Sequence, residues 1–154
     1  WFEEPIPPES FQALENFRNQ TYSPVCVGER LFTRWDFQHV LENNLADYIM
    51  PDVTWTGGIS EMRKIANLAE LYYVPISPHN AQGAGQILAG AHIGIHVPNF
   101  YKLEHCIAFI TGYNEFLKEP INFVGNTLIM PDGPGLGIDL DMDKLKSKIH
   151  EDWK

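Results

Sequence analysis

The sequence predicts an α/β fold in which a strand, a loop and a helix repeat around part of a parallel barrel. Short apolar runs alternate with segments whose apolar residues recur at helical spacing. An acidic or imidazole side chain follows each apolar run, at intervals of 23 to 27 residues. The five side chains are Glu3, Glu29, Asp52, His79 and Glu104. Since the carboxyl ends of parallel strands meet at one rim of a barrel, these side chains are expected to form one site.

The first predicted element is the end of a strand, and a helix follows it. Trp1-Phe2 is expected to close a strand whose earlier residues are absent, so the chain is interpreted as a fragment. Residues 9–19 predict a helix, because Phe11, Leu14 and Phe17 recur every three residues.

The next two units have the same order of elements. A strand is predicted at 24–27, and Thr33 can cap the helix that follows it. That helix is expected to end at the Asn43-Asn44 break. The third unit has a predicted strand at 48–50, and Ser60 is the predicted N-cap of its helix.

The last units are marked by two further short strands. These are predicted at 74–77 and 100–103. The segment 81–95 between them is rich in small residues with helical spacing, and a closing helix is expected near 107–117.

The domain prediction follows from a change of pattern after residue 117. Residues 1–117 are assigned to a partial (β/α) barrel domain, and 118–154 to a C-terminal extension of the same enzyme domain, with a turn at Gly125-Asn126. Four units are half of an eight-stranded barrel and would leave two open edges. Residues upstream of this chain are therefore expected to close it.

Composition excludes several classes of protein. The formal charge of −9 and the lack of a dense basic stripe argue against nucleic-acid binding, because phosphates are neutralised by a basic face. No run of about 18 apolar residues and no charged leader followed by an apolar run occurs, so a cytoplasmic protein without membrane segments is expected. Cys26 and Cys106 lie in different units and are predicted to be buried, reduced thiols.

Glu3 and Glu29 are the candidate metal ligands. Two carboxylates at neighbouring strand ends could bind one Mg²⁺, which accepts a few such ligands and keeps waters for a substrate. Both could instead be surface carboxylates near helix N-termini. Glu4 adjoins Glu3 but should face the other way, since strand side chains alternate, and spacing alone does not choose between the two.

Asp52 and His79 end adjacent predicted strands and form a candidate dyad. The carboxylate could accept a hydrogen bond from one imidazole nitrogen and leave the other as a base. A structural histidine is the alternative. Glu104 is either a neutral carboxyl that donates a hydrogen bond to a developing oxyanion or a rim salt-bridge partner of Lys102 or His105.

Several motifs resemble the mandelate racemase-like subgroup of the enolase superfamily, which contains acid-sugar dehydratases. The resemblance covers almost the whole chain. The matching segments are Trp1-Phe2-Glu3-Glu4-Pro5, Val27-Gly28-Glu29, Met50-Pro51-Asp52 with Gly57-Gly58-Ile59, Ser77-Pro78-His79-Asn80, Pro98 to Glu104, and Met130-Pro131 with Pro134 to Gly137.

The resemblance implies the C-terminal half of a (β/α)8 barrel, roughly units 4 to 8, with a tail that packs toward a capping domain absent from this chain. It implies Mg²⁺ on Glu3 and Glu29, His79 oriented by Asp52 as the acid-base, and Glu104 as the electrophilic donor. The implied reaction removes the proton alpha to the carboxylate of a sugar acid, stabilises an enediolate and yields a 2-keto-3-deoxy acid.

The chain also departs from the family pattern. The family's third metal ligand, any second base and the capping domain are absent from this chain, so the fragment alone is expected to be inactive. The full-length protein is expected to be a homo-oligomer. A racemase or epimerase of the same subgroup and a non-catalytic truncated half-barrel are the alternatives.

Overall fold

Parallel pairing organises the strands of the first half of the chain. The computed structural model describes residues 1–150, and only the backbone of Ile107 and Ile110. Three strands, β1 (Phe2–Glu3), β2 (Val25–Val27) and β3 (Tyr48–Ile49), pair side by side in chain order, and both pairings are parallel.

Helices follow the strands and confirm the predicted α/β class. They are α1 (Phe11–Arg18), α2 (Arg34–Glu42), α3 (Ile59–Leu71), α4 (Ala84–Gly94) and α5 (Ile107–Glu115). Antiparallel strands can join through a tight turn, whereas parallel neighbours need a crossover of this length. Closure into an eight-stranded barrel stays a prediction. Within residues 1–150 no helix is both long enough and apolar enough to cross a membrane.

The parallel sheet continues past β3 as isolated bridges. Ile76 bridges Ile49 on one side and Phe100 on the other, both in parallel. The predicted strands at 74–77 and 100–103 are therefore wrong in length, because only single residues bridge there.

Proline explains the shortened pairing. Pro75 and Pro78 have no N–H to donate to a ladder, yet the carbonyl of Pro75 accepts a bond from Ile49 N at 3.1 Å and that of Pro78 accepts one from Glu104 N at 3.2 Å. Neighbouring segments therefore stay hydrogen-bonded to one another beyond the ends of the regular strands.

The main core lies between the sheet and the helices. Its fully buried members include Val25, Ile49, Phe37, Ile65 and Ile76, which come from strands and helices alike. Burying a side chain of this kind contributes about 1.5–3 kcal/mol, so the outer face of the sheet holds α2 and α3 in place.

Gly28 lies where β2 meets the loop that carries Glu29. Its φ is +143°, and a Cβ there would lie 2.9 Å from both Met50 N and Phe37 Cε1. Glycine is required by both the backbone angle and the close approach.

The chain after residue 117 forms a smaller packed unit. β4 (Asn122–Val124) and β5 (Thr127–Ile129) form an antiparallel hairpin, and Gly125 at φ +59° confirms the predicted turn. Leu117 and Ile121 pack against Ile87 and Leu88 of α4. The boundary at residue 117 stays a prediction.

Some local predictions are corrected by the structure. The third helix begins at Ile59 after the N-cap Gly58, so Ser60 is not its cap. A sixth helix that the pattern did not indicate, α6 (Met142–Ser147), is capped by Asp141, whose side chain accepts from Lys144 N at 3.1 Å. Cys106 is partly exposed, unlike buried Cys26. The predicted extension ran to residue 154, and 151–154 lie outside the described residues.

Candidate active site

The candidate side chains follow the carboxyl ends of neighbouring parallel segments. Glu3 is the last residue of β1, and Glu29 follows β2 by two residues. Asp52 and His79 are themselves a parallel bridge pair. The N–H of His79 donates to the carbonyl of Pro51 at 3.1 Å, so backbone pairing extends as far as the dyad.

His79 and Asp52 are in direct contact. Nδ1 of His79 lies 2.7 Å from Oδ2 of Asp52. The Asp52 side chain is fully buried, and that of His79 is 13% exposed. A carboxylate at Nδ1 fixes the tautomer in which Nδ1 carries hydrogen and Nε2 is the acceptor.

Asp52 accepts further hydrogen bonds that keep it ionised. Oδ1 accepts from Thr54 through its N–H at 2.8 Å and its hydroxyl at 2.6 Å, and Gln86 Nε2 donates to Oδ2. Burial alone would raise the pKa of Asp52, but the bonds from His79, Thr54 and Gln86 outweigh it and the pKa is lowered.

The other nitrogen of His79 faces two carboxylates. Nε2 lies 3.1 Å from Oε2 of Glu29 and 3.6 Å from Oε2 of Glu104. Burial lowers the pKa of His79, whereas the hydrogen bond to Asp52 and the charges of Glu104 and Glu29 raise it, and the net shift is upward. The surroundings of this imidazole therefore favour its protonated form.

Glu104 lies where burial disfavours its charged form. Burial raises its pKa; the N–H of Asn80, 3.2 Å from Oε2, and the charge of His79 oppose this, while the charges of Glu3 and Glu29 add to it. The net shift is upward, which suits a carboxyl that donates a hydrogen bond.

The alternative partners of Glu104 are engaged elsewhere. Lys102 Nζ lies over the rings of Trp1 and Tyr101, at 4.8 and 4.7 Å from their centroids. The ring of His105 contacts that of Phe123, with the centroids 4.9 Å apart and the planes tilted by 42°. Among the described residues, neither Lys102 nor His105 forms an ion pair with Glu104.

Glu4 differs from its neighbour Glu3 in its contacts. Oε1 of Glu4 accepts the N–H of Gly28 at 2.6 Å, and Oε2 accepts from Arg30 at 2.8 and 3.0 Å. Glu3 is exposed and accepts one bond from Trp1 Nε1 at 3.0 Å. Glu4 thus holds the loop after β2, and Glu3 does not share these contacts.

The donor set of Glu3 and Glu29 fits a divalent cation. Both charges raise the pKa of Glu104, so each of the two carboxylates lies near Glu104. Mg²⁺ is commonly held by one or two carboxylates with several waters. Among the described residues no group of three or more His, Cys, Asp or Glu side chains is placed to hold a metal ion.

Cys26 lies beside this cluster but has no reactive thiolate. Burial, together with the charges of Glu3 and Glu4, raises its pKa well above the ordinary range of a thiol. The thiol is a neutral packing group at neutral pH.

Sequence reasoning missed Thr54 and Gln86, which complete the environment of Asp52. Thr54 is close in sequence, but no motif singles it out. Gln86 is 34 residues from Asp52, and its only signal is a glutamine among the small and apolar residues of α4.

The chain is similar to known proteins over almost its whole length. Residues 1–144 match the family model described as enolase C-terminal domain-like. The chain is 34% identical over 152 residues to a D-xylonate dehydratase from Haloferax volcanii, covering 98% of this chain and 37% of that protein. It is 36% identical over 154 residues to a D-galactarolactone cycloisomerase from Agrobacterium fabrum, covering 94% of this chain and 40% of that protein.

A solved structure shows the same fold. The crystal structure of a mandelate racemase/muconate lactonizing enzyme-like protein from Rubrobacter xylanophilus superposes with a TM-score of 0.91 at 37% identity, covering 100% of this chain and 40% of that one. The chain thus spans about two fifths of the length of the relatives it matches.

Proposed function

Because the chain belongs to the enolase C-terminal domain-like family, we propose that it is part of a magnesium-dependent sugar-acid dehydratase, a lyase. Its proposed place is the C-terminal half of a (β/α)8 barrel, units 4 to 8, with the tail directed toward a capping domain. The observation that carries the proposal is the placement of His79, whose Nε2 faces Glu29 and Glu104 while Nδ1 contacts Asp52.

His79 is the proposed base. Asp52 occupies Nδ1, so Nε2 is the nitrogen that can accept the proton alpha to the substrate carboxylate. Buried Asp52 also stabilises the imidazolium that forms, as a carboxylate does in other oriented histidine sites.

Glu104 is the proposed hydrogen-bond donor. Removal of the alpha proton puts negative charge on the substrate carboxylate, and a neutral carboxyl beside those oxygens stabilises that charge. The raised pKa of Glu104 and its position 3.6 Å from His79 Nε2 support this role.

Glu3 and Glu29 are the proposed magnesium ligands. When bound there, Mg²⁺ would supply positive charge next to the substrate carboxylate. Glu29 would also fix the metal beside the base, since its Oε2 lies 3.1 Å from His79 Nε2.

These groups account for every proton and electron pair in the proposed dehydration. The electrons of the broken C–H bond form the Cα=Cβ bond as the β-hydroxyl leaves, and the proton held on His79 can go out with it as water. The resulting enol tautomerises to a 2-keto-3-deoxy acid.

The test uses the full-length protein that contains this chain, with its intact mass recorded first. D-xylonate and other sugar acids are incubated with and without Mg²⁺, and 2-keto acid products are detected with semicarbazide. We expect Mg²⁺-dependent product from at least one acid and none with the His79→Asn variant. Reaction in deuterated water that exchanges the alpha proton with every hydroxyl retained would instead show a racemase or epimerase.

A further inference from the structure

Gln86 is a buried amide that contacts the carboxylate behind the base. It lies in the first turn of α4 and is 5% exposed. Its Nε2 donates to Oδ2 of Asp52, the same oxygen that contacts His79 Nδ1. Gln86 therefore touches the dyad through Asp52.

The orientation of the Gln86 amide is determined by a second contact. The backbone N–H of Gln82 lies 2.8 Å from Oε1 of Gln86. A backbone N–H only donates, so the atom it meets must be the amide oxygen, and the NH₂ group must face Asp52. Through Gln82, the loop between His79 and α4 thus ensures that Asp52 contacts the NH₂ group of Gln86 and not its oxygen.

The hydrogen-bonding capacity of Asp52 is then filled. Oδ1 takes two donors from Thr54, and Oδ2 takes Gln86 and His79. A carboxylate with about four acceptor positions has none left. Its plane cannot turn without breaking bonds to groups on two different loops and one helix.

Resting on the function proposed above, we propose that Gln86 is a positioning residue that holds Asp52 in the plane required by His79. Without the amide, Oδ2 keeps only His79 as a partner. The carboxylate can then turn while Oδ1 stays bonded to Thr54. The imidazole would then lose its fixed tautomer and its direction toward the substrate.

The experiment compares Gln86→Met, which keeps the side-chain length and removes both the donor and the acceptor of the amide, with Gln12→Met in the full-length protein. Gln12 is a matched control because its amide also donates to a carboxylate, Oε2 of Glu15 at 3.1 Å, but at an exposed position of α1. Circular dichroism checks the fold. Gln86→Leu, which is similar in volume and has neither donor nor charge, replaces Gln86→Met if that variant does not fold.

Two readouts are taken. In protein labelled with ¹⁵N-histidine, the low-field Nδ1–H resonance of His79, assigned by its loss in His79→Asn, is expected to move upfield or broaden in Gln86→Met. With an acid that the wild type dehydrates, kcat should fall about 10- to 100-fold while KM stays within about twofold. The Gln12→Met variant should match the wild type in both.

An unchanged resonance in a folded Gln86 variant would overturn the proposal, as would a rise in KM with kcat unchanged. If the wild type dehydrates no sugar acid, the proposed function fails, but the resonance still decides whether Gln86 positions the dyad. The two failures are therefore distinguishable.

Discussion

His79 and Asp52 are paired twice, through a side-chain contact and as directly opposite residues of a parallel bridge. Nδ1 of His79 lies 2.7 Å from Oδ2 of Asp52, and the same two residues form a parallel bridge. Side chains of directly paired residues in adjacent strands project to the same face. Sheet register therefore creates the dyad, and loop conformation only refines it.

Replacing Asp52 with asparagine should remove the orientation of His79. The amide can donate to Nδ1 and so stabilise the wrong tautomer, which in a comparable oriented histidine costs about 10⁴ in kcat. We expect kcat of Asp52→Asn to fall by about 10³ to 10⁴ with Mg²⁺ binding retained. Steady-state kinetics measures it, and the exposed Asp139→Asn serves as the control. A loss smaller than about tenfold would contradict the assigned role.

Two substitutions at Glu104 distinguish a hydrogen-bond donor from a charged group. Glu104→Ala should lower kcat about 10²- to 10³-fold, as loss of one oxyanion donor does. Glu104→Gln retains an N–H donor and should lose clearly less. If the two variants lose the same activity, the side chain acts through its charge. The comparison needs only kcat for one sugar acid at one pH.

The choice between Glu3 and Glu4 as metal ligand can be measured directly. Glu4 is bonded to Gly28 and Arg30, whereas Glu3 has one exposed contact. We expect Glu3→Gln to weaken Mg²⁺ binding by at least about tenfold. Substitution of a residue that only hydrogen-bonds to a metal ligand already weakens metal binding by about that much. Glu4→Gln should stay within about threefold. Titration calorimetry of the full-length protein with MgCl₂ gives both values, and the reverse order would assign the metal to Glu4.

Strand-end spacing was enough to predict the α/β class. It also predicted that Asp52, Glu29 and Glu104 would lie near His79, as they do. That pattern works because a repeated unit imposes the same geometry on each strand end. It does not resolve which of Glu3 and Glu4 faces the site, since that depends on the positive φ of Glu4, +42°, and on where Arg30 lies.

The features missed by sequence reasoning have both distant and local causes. Gln86 meets Asp52 across 34 residues, and periodicity along a helix carries no information about such a partner. The strand around Ile76 is shortened because prolines have no N–H to donate. The apolar character of the segment nevertheless predicted a full strand. Gly58 rather than Ser60 caps α3, since glycine tolerates the φ of +89° found there.

Gly28 allows β2 to approach its neighbours, and alanine there should destabilise the fold. The added Cβ would lie 2.9 Å from Met50 N and Phe37 Cε1, at a φ that favours glycine. Overpacking of this kind costs about 1–3 kcal/mol in the free energy of unfolding. Gly83→Ala is the control, because nothing lies within 4 Å of its Cβ position and its φ is −151°. Urea unfolding of both variants measures the difference, and equal midpoints would refute the steric argument.

An ion pair between α2 and α3 should make stability depend on pH in the acid range. Arg34 donates to both oxygens of Glu61, at 2.8 and 2.7 Å. The side-chain hydrogen bonds from Arg34 are the main cause of the lowered pKa of Glu61, against an ordinary value of 4.5.

A lowered pKa in the folded state means that this contribution is fully present above about pH 4.5 and is lost as the pH falls through the folded value. Glu61→Gln should therefore lower the urea midpoint relative to wild type at pH 7, and the gap should narrow by pH 3. Glu70→Gln, at an exposed position on the same helix, should show no such gap. A gap that is constant from pH 7 to pH 3 would mean that Glu61 acts through packing, because a packing loss does not depend on whether the carboxyl is ionised.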